Sequence, residues 1–154
     1  MRQSHKWGAM GEAVTHDRAA GDIATLRLPG IGWLLQWRGD GFWRELNDAQ
    51  HHDELAGSFM PSEDEWVRWT GRSRPQARGG AWGGVATWWL VYGELPGEAT
   101  PSVGLADGTC PPVLRLGRVW ACEWRSVAQP VTVSVASERF DFAFAEPQYR
   151  RSLG

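Results

Sequence analysis

The chain of 154 residues is almost without lysine: of its 16 basic side chains only Lys6 is one, and the rest are arginine. It has two cysteines, Cys110 and Cys122. That is too few for a disulfide framework, and no CxxC or Cys/His spacing prepares a zinc site, so two reduced thiols are expected. No apolar run approaches the roughly 18 residues of a membrane span, and the opening MRQSHKWGAMGEAV lacks the uninterrupted apolar stretch of an export signal. No membrane partner is therefore expected, and the expected address is cytoplasmic. Eighteen acids against 16 bases leave a formal charge of −2, which gives the whole molecule no attraction for polyanions. Nucleic acid is disfavoured as the main partner.

Recognisable catalytic signatures are missing too. Ser58 in AGSFM lacks the flanks of a nucleophile elbow, and the glycine-rich GGAWGG (79–84) leads into an apparent strand with no following lysine. Cys122 lies between two indoles expected to face inward, where burial would raise its pKa and leave it inert. Arg38-Gly39-Asp40 is most simply a hairpin tip. His16 together with His51 and His52 in HHDE (51–54) supplies imidazoles and carboxylates for a small metal-dependent hydrolase. Neither HExxH nor HxH is present, however, and adjacent residues cannot all face one ion. Exposed polar residues are the simpler reading, and no cofactor is expected.

What the chain has in abundance is tryptophan, 11 residues, and glycine, 19. Arginine suits such company, because its guanidinium stacks on aromatic faces and forks onto carboxylates. Two stretches repeat one pattern: WLLQWR (33–38) and WACEWR (120–125). Spacing alone does not separate helix from strand, but Gly30, Gly32, Gly39 and Gly41 flank the first copy, and a helix carried through two glycines loses about 2 kcal/mol. On a strand, Trp33, Leu35 and Trp37 oppose Leu34, Gln36 and Arg38, and Trp120, Cys122 and Trp124 oppose Ala121, Glu123 and Arg125. One apolar side and one polar side predict a core face. The six-residue match does not extend into its flanks, which is weak ground for a duplication.

Further strands are predicted over 22–28, 42–46, 85–92, 102–106, 112–116, 118–124, 130–136 and 139–145, from β-branched and aromatic runs separated by Pro-Gly, Asp-Gly and lone glycines. VATWWLVY (85–92) is apolar on both faces and should be central. Ser62 with Glu65 reads as a capping box for a turn from 63 to about 69, and NDAQHHDELAG as a short helix ending at Gly57. The expected fold is mainly β, an antiparallel β-sandwich or partly closed barrel, with one or two short helices in residues 43–70. A single β-rich domain, 1–154, is divided into halves by an exposed loop near 71–84.

Charge is segregated. Residues 40–65 hold Asp40, Glu45, Asp48, Asp53, Glu54, Glu63, Asp64 and Glu65 against Arg44 alone, and residues 66–78 hold Arg68, Arg72, Arg74 and Arg78 with no acid. A solvated face beside a linker explains this, and so does a pair of patches that steers a partner. Trp7, Trp43, Trp66, Trp69, Trp82 and one of Trp88 or Trp89 stand near glycine-rich turns or charges and are expected to be exposed. Exposed tryptophan and arginine dominate binding hot spots. The expected function is a non-catalytic protein-interaction module that binds another protein through Trp66, Arg68, Trp69, Arg72, Arg74 and Trp82. A glycan-binding module is the alternative, since planar rings stack on sugars, and the histidine hydrolase is the third reading.

Overall fold

The structure, a computed structural model, describes residues 15–17, 22–57, 61–81 and 83–144. The chain is mainly β, with three antiparallel sheets and one α-helix among the described residues, and its sandwich-like character agrees with the sequence. Among those residues no helix is long and apolar enough to cross a membrane. Contacts divide the chain into two compact units: residues 1–70 with 115–119, and residues 71–114 with 120–154.

The first unit is built on a five-stranded meander, β1 (Thr15–Asp17), β2 (Ile23–Leu28), β3 (Trp33–Arg38), β4 (Phe42–Asn47) and β5 (Val67–Arg68), in that order across the sheet. Gly41 turns β3 into β4 at φ 94°, a conformation that costs glycine nothing. Helix α1 (Asp48–Leu55) starts where the Asn47 side chain accepts the Gln50 N–H at 2.8 Å, and it stops before Gly57.

The second expected helix is cut to one 3-10 turn, Glu63–Glu65. The Ser62 hydroxyl makes no capping bond there. Val67 and Arg68 are taken instead by the sheet, paired with Trp43 and Phe42 of β4. Tertiary pairing outweighs a weak local signal.

The expectation of one wet and one dry face on β3 also needs correction. Leu34, Leu35 and Gln36 are all buried, while Trp33 and Trp37 are only half-buried. In register, Thr25, Gln36 and Arg44 form a row across β2, β3 and β4. Glu54 of α1 and the indole of Trp66 close over that row. Both faces of the strand are therefore covered, one by apolar side chains and one by a polar network.

The second unit has a sandwich core. One sheet runs β6 (Gln76–Gly79), β7 (Thr87–Glu94), β10 (Val119–Ser126), β9 (Leu114–Leu116), its residues 115, 116 and 119 being counted with the first unit, and the other runs β12 (Glu138–Phe142), β11 (Val131–Val135), β8 (Ser102–Leu105). Trp89 and Val91 of β7 and Trp120, Cys122 and Trp124 of β10 pack against Val103 of β8 and the alternating Val131, Val133 and Val135 of β11. The second tryptophan pair is thus core, as its pattern predicts. β7 is a central strand, buried from Trp89 onward.

Candidate functional site

Five of the eight acids of the acidic stretch are paired with arginines of their own unit. Arg44, buried in the sheet, donates from Nε to Gln36 Oε1 at 2.8 Å, and Gln36 Nε2 in turn donates to Thr25 Oγ1 at 3.1 Å. The outer edge of the same guanidinium takes both oxygens of Glu54 and, at 3.0 Å, Glu65. Arg38 holds Asp40 at 2.7 Å and Glu63 at 3.2 Å, and Arg27 meets Asp48 at 2.9 Å. The Arg38 hydrogen bond keeps the Asp40 carboxyl below its ordinary pKa. Trp66 lies with its ring 4.9 Å from both the Arg38 and the Arg44 guanidinium carbons. It is 9% exposed.

That arrangement corrects the expectation for two anchors. Trp66 is sandwiched between two arginines and buried. Trp43, also expected outside, is 4% exposed because β4 is flanked on both sides by strands. Trp69 is half-buried: its backbone N–H donates to the Gly41 carbonyl at 2.9 Å, and the Arg118 guanidinium stacks 4.2 Å from its ring. Arg68 is exposed and stacks on Phe42 at 5.7 Å. Trp7 and Trp82 lie outside the described residues. The remaining pair resolves as Trp89 buried and Trp88 exposed at 37%. Of the six expected binding residues, Trp66, Arg68 and Trp69 belong to the first unit, and Arg72 and Arg74 to the second.

The stretch from 71 to 79 in the second unit is pinned rather than loose. The backbone N–H groups of Gly71 and Arg72 both donate to Glu94 Oε1, at 2.8 and 3.1 Å, so a buried carboxylate at the end of β7 anchors the entry of the segment. Ser73 Oγ donates to Glu138 at 2.6 Å. Arg74 lies over Phe140 at 5.7 Å. Pro75 is buried against Gly93, where an added Cβ would stand 3.2 Å from the proline Cα. From Gln76 to Gly79 the chain then forms β6, paired to β7, so part of the expected loop is a strand.

Within that strand Gln76 and Arg78 share the face of Tyr92, whose hydroxyl accepts from Arg78 Nε at 3.1 Å and donates to Gln76 at 3.2 Å. Arg78 stands opposite Leu90, which makes Trp88, two residues earlier, its diagonal neighbour on that face. Sequence reasoning left this indole unassigned between two positions. Alternation along β7 from the buried Trp89 is the signal that selects it.

The two arginine-rich environments differ in one respect. Among the described residues no carboxylate pairs with Arg68, Arg72 or Arg74. Arg72 and Arg74 are exposed. A guanidinium stacked by its face keeps its in-plane N–H groups available, and those groups match a carboxylate two at a time.

The residues of the other readings stand differently. His51 is half-buried and His52 exposed on α1, and His16 is in β1 opposite Ala24. Burial, with help from the Arg27 charge, pushes the His51 pKa down. Among the described residues no three His, Cys, Asp or Glu side chains gather to hold a metal ion. An open groove of about 280 Å³ lies beside Pro101, Val103, Cys110 and Val113, apolar apart from small hydroxyls and the Cys110 thiol. Cys122 is buried, its thiol pushed up to about 12 by desolvation. Comparison with protein-family models, with curated proteins and with solved structures finds no match for this chain.

Proposed function

We propose that the chain is a non-catalytic protein-interaction module whose docking surface is the basic edge of the second unit. Arg72, Arg74 and Arg78 supply it with charge, and Trp88 supplies an apolar anchor. One observation carries this reading: five of the eight acids of residues 40–65 are ion-paired with Arg27, Arg38 and Arg44, while Arg72 and Arg74 are held in place and exposed, with no carboxylate paired to them among the described residues. A pinned backbone lowers the ordering cost of binding, and arginine with tryptophan is the composition that concentrates binding energy. The complementary partner is an acidic protein surface.

The test is fluorescence anisotropy with a labelled ten-residue peptide in which Asp or Glu alternates with Val and Thr, against the same peptide with lysine at each acid. The acidic peptide binds and weakens as salt is raised, and the basic one does not bind. The double variant Arg72→Glu/Arg74→Glu loses at least tenfold in affinity with an unchanged unfolding midpoint, and Trp88→Ala loses several-fold. Equal binding of both peptides, or full affinity in the double variant, overturns the reading.

A further inference from the structure

We infer that the partner's acidic segment is added as an extended strand along β6, extending the four-stranded sheet at its β6 edge in the second unit. The inference rests on the binding surface proposed above and specifies how it is used. β6 is the terminal strand of its sheet, so alternate residues direct their backbone N–H and C=O groups away from β7. All four of its residues are exposed. On the face away from Tyr92 it carries only the Ala77 methyl and Gly79, which leaves room on that face for the side chains of a strand paired at the usual separation of about 4.8 Å.

Three of the other terminal strands, β12, β5 and β1, are less suited to the role. β12 carries Glu138, Arg139 and Asp141 in five residues, with the last two paired at 3.3 Å, a charged edge of the kind that discourages pairing. β5 is two residues long and β1 three. β6 is itself short, about 13 Å, so the ladder alone supplies little affinity and arginine must supply the rest. Charge complementarity identifies the occupant, because residues 71–78 hold three arginines, Arg72, Arg74 and Arg78, and no acid.

Rigidity supports the same use. Gly71 and Arg72 are tied to Glu94, Pro75 sits on Gly93, and Gly80 has φ 87° with the Trp89 ring directly against it. Both ends of the strand are fixed, so a partner would meet a preformed template.

Backbone N-methylation of the acidic peptide separates strand addition from charge attraction. Two versions are made, methylated at alternate residues in the two opposite phases, with every side chain unchanged. A strand offers its neighbour only alternate N–H groups, so one phase loses at least tenfold in affinity and the other binds within about threefold of the parent. If both phases bind like the parent while Arg72→Glu/Arg74→Glu still abolishes binding, strand addition is wrong and the basic surface stands. If the unmethylated acidic peptide does not bind at all, the proposed function fails and the inference with it.

Discussion

Replacing Arg44 with methionine should remove the centre of the first unit's polar network. The guanidinium is 3% exposed and serves Gln36, Glu54 and Glu65 together. Methionine fills much of the volume but leaves a nearly buried Glu54 without its counter-charge and the Gln36 oxygen without a donor. Breaking such a pair from one side costs about 3–5 kcal/mol, mostly the penalty of the stranded charge. Arg27→Ala is the control, because its ion pair with Asp48 is half in water and worth about 1 kcal/mol or less. Urea titration at neutral pH reads the difference: with a slope of about 1–2 kcal/mol per molar, the Arg44→Met midpoint drops by about 1.5–5 M and the Arg27→Ala midpoint by about 1 M or less.

Adding Glu54→Leu to Arg44→Met should recover a large part of the loss, since a buried pair exchanged for apolar side chains is close to neutral. A loss of less than about 1 kcal/mol for Arg44→Met would refute the reasoning. It would show that Glu54 and Glu65 return to water at little cost. The acids would then not be committed internally, and the contrast that singles out Arg72 and Arg74 would disappear.

Trp66→Ala should cost about 3–5 kcal/mol in the same titration and leave acidic-peptide binding intact under conditions where the variant is folded, because the ring is a structural contact of Arg38 and Arg44. Gly80→Ala would place a Cβ 1.9 Å from the Trp89 ring at φ 87°, and a thermal scan should show a loss of about 2–4 kcal/mol; Gly41→Ala, at φ 94° in open space, loses only the backbone part, about 1–2 kcal/mol. Native protein treated with a thiol reagent at pH 8 should react once per chain, at exposed Cys110, and twice in denaturant, because Cys122 is buried with its pKa at about 12. His51 has a lowered pKa, so the unfolded chain takes up that proton before the folded one does. Stability should fall as pH drops below about 6.5, and His51→Gln should flatten that part of the profile.

Strand existence was legible wherever period two or an apolar run was long enough. The alternating valines of β11 face the core, and VATWWLVY gave a central strand. The three strands that escaped, β1, β5 and β6, are two to four residues long and carry polar side chains, so no periodicity could announce them. Tryptophan burial was legible only in part. Trp120 and Trp124 follow their pattern, but Trp43 and Trp66 looked exposed because their neighbours are charged. Trp43 is covered because β4 is paired on both sides, and for Trp66 the reason is that guanidinium groups whose edges are saturated by carboxylates present flat faces, against which an indole packs as it would against another ring. Charge near a tryptophan therefore predicts solvent only when the charge has no partner.

The same point explains why WLLQWR and WACEWR meet different fates and do not mark a duplication. The first arginine, Arg38, is paired with Asp40 and Glu63 and stacked on Phe42 and Trp66, while the second, Arg125, is exposed. Their strands lie in a five-stranded meander and in a sandwich sheet of order β6-β7-β10-β9, which no repeat of one unit would generate. Counting arginines beside tryptophans thus locates no site by itself. What separates a latch from a binding surface is whether the chain also supplies the acid. Residues 40–65 supply it to Arg38 and Arg44, and among the described residues nothing supplies it to Arg72 and Arg74. A partner that brings its own carboxylates on an extended backbone would complete at β6 the same arrangement that the first unit completes internally.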